Sequence, residues 1–179
     1  MKAPETIQTK RLLLRRPQME DAQEIFERYA SDPDVTRYLH WETHGSVDAT
    51  REFLRLSHAA WEAGPAGPYL IRSRESGLVL GSTGLDFEIP DRPMTGYVLA
   101  QDAWGQGFAT EALGAMVDLA RSLDLPSLLA CCHPDNAASI RVLEKGGFDL
   151  EGRLTACAKF PNLSGDAMCD ILAYACDLC

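Results

Sequence analysis

Apolar positions along this chain change period several times, and the changes mark its elements. The clearest helical stripe is Ala109, Ala112, Leu113, Met116, Val117, Ala120 and Leu123, whose three- and four-residue spacing predicts a helix over 109–123. An earlier stripe, Ala22, Ile25, Phe26, Tyr29 and Ala30, predicts a helix from about Met19 that Asp32-Pro33-Asp34 stops. Val47, Thr50, Phe53, Leu54 and Trp61 supply the buried face of a helix over 46–62, with the Ser46 hydroxyl available to its first-turn amides. Elsewhere the period shortens to that of strands. Residues 9–16 read as a first strand ended by Pro17, and 69–74 and 78–87 as a hairpin about Glu75-Ser76-Gly77. After the loop 89–93 comes a strand over 95–100, and 128–132 is a wholly apolar strand of the kind buried in the middle of a sheet. Pro134-Asp135-Asn136 opens a further helix, which Gly146-Gly147 ends. Two last strands, 148–154 and 168–178, are joined through the turn 161–165. The segment 35–42 is amphipathic but irregular, a short helix plus loop whose aromatics either cover a pocket or pack. With no repeat and no low-complexity tract, the elements add up to one mixed α+β domain over residues 1–179.

Composition narrows this picture in three ways. An apolar fraction of 46% with 24% charged residues is ordinary for a globular chain, and no apolar run is long enough to span a bilayer. Met1-Lys2-Ala3-Pro4-Glu5 lacks the hydrophobic region of a signal peptide, so the expected location is cytoplasmic, with no membrane partner. A net charge of −9 argues against a nucleic-acid partner, which needs a basic patch. Six cysteines are expected as free thiols, with adjacent Cys131 and Cys132 pointing to opposite faces of a strand. Cys176-Asp177-Leu178-Cys179 is formally a C-x-x-C, but no second pair or histidine set accompanies it, so no metal is expected.

The candidate chemistry centres on Trp104-Gly105-Gln106-Gly107-Phe108-Ala109-Thr110-Glu111, between a strand and the clearest helix. Two glycines allow a tight turn, and the residues after them present unpaired N–H groups at a helix N-terminus, an end suited to phosphate or pyrophosphate. A dinucleotide fingerprint would need a third glycine where Thr110 stands and an acidic residue where the next strand ends in Cys131-Cys132-His133. A P-loop would need a Lys-Ser/Thr pair after the second glycine. Neither is present, and a ligand-free structural turn is the remaining local alternative.

The chain resembles the GCN5-related N-acetyltransferases, and within them the branch containing the ribosomal-protein N-terminal acetyltransferases. The resemblance rests on Thr9-Lys-Arg-Leu-Leu-Leu-Arg15, Tyr38-Leu-His-Trp41, Gly96-Tyr-Val-Leu99, the turn at 104–112, Pro134-Asp-Asn136-Ala-Ala-Ser139 with Lys145-Gly-Gly-Phe148, and the late Asp170 and Tyr174. It implies a mixed, mostly antiparallel sheet of about six to seven strands flanked by helices. It also implies acetyl-CoA as co-substrate, and an acetyl group moved to a primary amine by direct attack in a ternary complex. The pyrophosphate would lie on the backbone of Trp104, Gly105, Gln106, Gly107, Phe108, Ala109 and Thr110, and the pantetheine beside Val98 and Leu99. Asn136 and Ser139, three apart and hence on one helix face, would bind the pantetheine and assist the departing thiolate.

The amine must be neutral to attack, yet the glutamate that related sequences carry before the Gly-Tyr pair is replaced here by Pro93-Met94-Thr95. Glu88, Asp86, Glu42, His40 and His133 remain as base candidates, His133 first because it ends a strand beside the cofactor helix. A water chain could equally serve an α-amino group, whose ordinary pKa is about 8. The expected acceptor is a protein N-terminus or a small amine, with no residue that separates the two, and homodimerisation is common in the family. Other readings are a non-catalytic acyl-CoA sensor and an interaction domain with an empty turn.

Overall fold

The computed structural model describes residues 2–89 and 92–178. Eight strands form one sheet: β1 (Thr6–Gln8), β2 (Leu12–Arg15), β3 (Pro68–Ser73), β4 (Val79–Asp86), β5 (Met94–Leu99), β6 (Ser127–Cys132), β7 (Asp149–Lys159) and β8 (Met168–Asp177). Their spatial order is β1-β2-β3-β4-β5-β6-β8-β7, antiparallel throughout except where β5 meets β6. The mixed, mostly antiparallel sheet matches the expected class, with more strands than the six or seven expected. The first expected strand is in fact a hairpin: Thr9 Oγ1 caps the turn by accepting the Leu12 N–H, at 3.0 Å, and breaks 9–16 into a turn and β2. The short β1 before it alternates over only three residues, too few to reveal it.

Helices cover both faces. On one side pack α1 (Ala22–Ile25), extended by a π-type turn over Phe26–Ala30, the single turn α2 (Pro33–Thr36), and α3 (Val47–Ala63). On the other packs α4 (Phe108–Ser122), with α5 (Ala137–Lys145) beside it. The single turn α6 (Pro161–Ser164), in the β7–β8 connection, is hydrogen-bonded to the end of α2 and the segment that follows it. Strand alternation sorts the core accordingly. Leu12, Leu14, Ile71 and Leu99 join the α4 side, while Leu70, Val79, Val98 and Ala100 join the side of α1 and α3. Leu128, Ala130 and Cys132 are buried in β6, and Cys131 turns to the opposite, less buried face, as its neighbour's burial demands.

Two features of this frame position everything that follows. The first is a divergence: β5 and β6 are paired only at Met94 with Leu129, and beyond that point the strands separate. β6 instead spends its other edge on six paired residues of β8. The second is the anchoring of the loop before α4. On one flank Arg28 forms a two-pronged ion pair with Asp102, at 2.9 and 2.8 Å, and donates to the Val79 carbonyl. On the other, Glu111 accepts from the Thr9 hydroxyl (2.6 Å), the Arg11 N–H (2.8 Å) and Arg11 Nε (2.6 Å). Arg11 also donates to the Gln106 carbonyl and lies over the Phe108 ring. Two Arg–carboxylate pairs thus bracket residues 103–110, a geometry that fixes direction as well as distance. Among the described residues no helix is long and apolar enough to cross a membrane, and no cluster of three or more His, Cys, Asp or Glu could hold a metal. Cys176 is a buried free thiol; Cys179, the other end of the C-x-x-C, lies outside the described residues.

Burial pushes the Glu111 carboxyl up, but the Thr9 hydroxyl, the Arg11 amide and the Arg11 guanidinium outweigh it and leave the group below its ordinary range. Its contribution to stability is therefore full above the unfolded value near 4.3 and is lost as pH falls through the lower folded value. Replacing Glu111 by Gln should cost about 1–2 kcal/mol at neutral pH, and urea unfolding at pH 7 and at pH 3 should show the gap between variant and native narrowing in acid.

Candidate active site

The divergence of β5 from β6 opens a cleft of about 630 Å³ whose walls are β5, α2 with the following Tyr38 and Leu39, the loop before α4, the first turn of α4 and one face of α5. The backbone of β5 sets its character. Ala100 donates to the Leu80 carbonyl across the β4 ladder, and the Thr83 hydroxyl donates to the Gly96 carbonyl. In an antiparallel ladder these groups alternate, so Tyr97 and Leu99 direct theirs away from β4, toward the side where β6 has left. The Leu99 carbonyl is taken by the Trp104 indole N–H at 2.8 Å, and the Leu99 N–H faces the opening. β4 can lie this close only because residue 81 is glycine; a Cβ there would collide with the Val98 carbonyl oxygen.

The turn that follows is built by two left-handed residues, Gly105 at φ 71° and Gly107 at φ 79°, a backbone region closed to other residues without strain. Gly107 is the N-cap of α4 and offers no side chain, so the first-turn N–H groups of Phe108, Ala109 and Thr110 are left without a capping acceptor and open to the cleft. Gln106 turns its side chain back to the Asp102 carbonyl, and it contributes no cleft wall. Against an overall charge of −9, the rim carries Arg141 and Lys145 with only Asp34 opposing them.

Val98, Leu99, Trp104, Gly105, Gly107, Phe108, Ala109, Thr110, Asn136 and Ser139 all line this one cleft. Asn136 caps α5 by accepting the Ser139 N–H at 3.1 Å, while its side-chain nitrogen has no hydrogen-bond partner among the described residues. The Ser139 hydroxyl meets the Tyr97 phenol at 2.9 Å. An elongated ligand with phosphates at one end and hydrogen-bonding amides along its arm fits the open α4 amides, the Leu99 N–H and the Asn136 side-chain nitrogen.

His133 does not line the cleft but sits behind its Tyr38 wall, between the Tyr38 ring stacked at 5.3 Å and the Phe160 ring edge-on at 5.1 Å. Its Nδ1 accepts the Asp135 N–H at 3.1 Å, so the neutral ring carries its proton on Nε2. His40, 5.1 Å from Phe160, completes an aromatic wall. Sequence reading treats 161–165 as a plain turn and so misses what fixes this wall. The Asn162 side chain donates to the carbonyls of Thr36 and Trp41 and accepts from the amide and hydroxyl of Thr43, at 2.8 to 3.0 Å. Its partners lie over a hundred residues away, so no local pattern announces it. Tyr97 is likewise visible in the sequence only as part of a motif; its reach to α5 is a tertiary fact.

Comparison with known proteins meets this geometry from outside. The Acetyltransferase (GNAT) domain family model matches residues 11–149. The uncharacterized N-acetyltransferase p20 of Bacillus licheniformis is 33% identical over 153 residues, covering 84% of this chain and 85% of its own. A GNAT-family acetyltransferase of Bacillus anthracis superposes with a TM-score of 0.84 at 26% identity, covering 97% of this chain and 98% of that one. RimL, a ribosomal L7/L12 α-N-protein acetyltransferase solved in complex with coenzyme A, shares the fold at a TM-score of 0.84 and 24% identity, over 97% and 98% of the two chains. A family match across most of its length, on a fold whose diverging strands and bare helix N-terminus suit a CoA thioester, places this chain in the GNAT family as an acetyl-CoA-dependent acetyltransferase.

Proposed function

We propose that the cleft between β5, α4 and α5 binds acetyl-CoA and that the chain transfers the acetyl group to a primary amine, either a protein N-terminus or a small amine, by direct attack. The observation that carries this is the meeting, in one cleft, of an uncapped α4 N-terminus with an unpaired stretch of β5 backbone. That RimL holds coenzyme A on the same fold supports it. Acetyl-CoA supplies an activated acyl carbon on a thiol leaving group. The first-turn amides of α4 hold the pyrophosphate, with the helix dipole adding to their charge. Tyr97 and Leu99 offer backbone groups to the pantetheine arm, Asn136 adds its side-chain nitrogen, and the Leu99 N–H polarises the carbonyl. Ser139 donates a hydrogen bond to the leaving sulfur.

The acceptor enters on the Tyr38, His40 and His133 side. No carboxylate stands at the position before Gly96, where Thr95 is buried and donates to the Gly84 carbonyl. Because the Nδ1 lone pair of His133 is engaged by Asp135, the ring serves as a donor here, and water at the open mouth takes the proton of the amine. An α-amino group, with an ordinary pKa of about 8, gives that proton up easily near neutral pH.

Calorimetric titration with acetyl-CoA tests the binding half. Gly107→Val forces a branched residue into a left-handed conformation at the phosphate end and should weaken binding at least tenfold, about 1.4 kcal/mol; native-like affinity in that variant would remove the pyrophosphate from this turn. Thiol-release assays over a panel of N-terminal peptides and small amines test the transfer half. Ser139→Ala should lower kcat by about 10² with little change in the KM for acetyl-CoA, and an unchanged kcat would end the leaving-group role of Ser139.

A further inference from the structure

Hydroxyls on the helices of this protein mostly fold back on their own backbone. Thr36, Ser57 and Ser164 each donate to the carbonyl four residues earlier. Ser139 does not: its hydroxyl instead meets the phenol of Tyr97, which reaches across the opening from β5 to α5. The phenol lies 2.9 Å from Ser139 Oγ and 3.2 Å from the Ser139 carbonyl, yet it has a single proton to give.

That single proton makes two arrangements possible. If Tyr97 donates to the carbonyl, the Ser139 hydrogen is left to point back at the phenol oxygen or at the Cys132 sulfur. If Tyr97 donates to Oγ, the Ser139 hydrogen is released to the cleft. We propose that Tyr97 is a positioning residue for acetyl transfer, which by donating to Ser139 Oγ turns the Ser139 hydroxyl hydrogen toward the sulfur of bound acetyl-CoA. The inference rests on the reading of Ser139 given above and adds the group that orients it.

Burial supports the donor role. Desolvation pushes the Tyr97 phenol up to about 12, so it keeps its proton at any working pH. Cys132, the other proton-bearing neighbour of Ser139, is pushed by its own burial to about 11 and stays a thiol. No anion beside Ser139 competes for its hydrogen. As the C–S bond breaks, its electron pair stays on sulfur, and the Ser139 hydroxyl stabilises that charge. Solvent then supplies the proton that makes the free thiol, while the proton lost by the amine passes to solvent at the acceptor mouth.

The test compares coenzyme A with desulfo-coenzyme A, which differs at the atom in question, by calorimetry at a pH of about 8.5, where thiols begin to ionise. The native protein should prefer coenzyme A by about fivefold, the worth of one hydrogen bond. Tyr97→Phe keeps the ring and should abolish that preference while binding desulfo-coenzyme A as the native protein does, which also reports that the variant is folded. Turnover should fall by about tenfold with the KM for acetyl-CoA within about twofold, and Tyr97→Phe with Ser139→Ala should be no worse than Ser139→Ala alone. Equal weakening of both ligands, retention of the preference, or additive losses in the double variant would overturn the proposal. If Ser139→Ala itself leaves the preference intact, the Ser139 reading fails; if only Tyr97→Phe does, that reading stands and this one falls.

Discussion

The site depends on a pairing that is not made. β5 and β6 are neighbours, yet they share a single bridge at Met94 and Leu129 before diverging. A parallel pair would normally continue its ladder, because backbone groups left open in a protein interior are costly. Here the alternatives are occupied in turn. β6 is satisfied along its other edge by β8, the Leu99 carbonyl by Trp104, and the far side of β5 by β4. What remains open faces the cleft, and the divergence becomes a row of donors and acceptors for a ligand to complete. The Tyr97–Ser139 contact spans the same gap and ties its two sides.

Charge follows the same local logic. A chain with a net charge of −9 would repel a polyanionic ligand if its charge were spread evenly. Instead Arg11 and Arg28 are consumed by Glu111 and Asp102 in holding the glycine turn, and the cleft presents bare helix amides with Arg141 and Lys145 at its rim. The turn thus presents neutral dipoles, fixed by neighbouring ion pairs, rather than free cations.

How much of this is legible in the sequence depends on the range of the interaction. α3 and α4 show because their stripes are long and their ends are marked, Ser46 capping one and Gly107 opening the other. The glycine turn shows because positive φ at 105 and 107 admits few residues. The hairpin at 6–15 does not, since its first strand is too short at three residues to show a period and its turn is set by Thr9 Oγ1 rather than by Gly or Pro. The one-turn helix at 161–164 is hidden for the same reason. What the site needs from far away is invisible altogether: Glu111 reads as a helix-surface acid until Arg11, a hundred residues earlier, lies beside it. The tautomer of His133 is equally unreadable, since it is decided by the direction of the Asp135 N–H.

Asn162 carries one more consequence, which concerns time rather than geometry. Its four hydrogen bonds join the β7–β8 connection to the segment 36–43, across sequence separations of 119 to 126 residues. Until the chain has reached and seated that connection, Thr36, Trp41 and Thr43 lack the partner that holds them, however early α1 and α3 form around them. Contacts so distant close late, because the entropy of the intervening chain must be given up first. The aromatic wall of Tyr38, His40, His133 and Phe160 is therefore assembled after most of the sheet, and a folding intermediate with α1 to α4 already in place would still lack it.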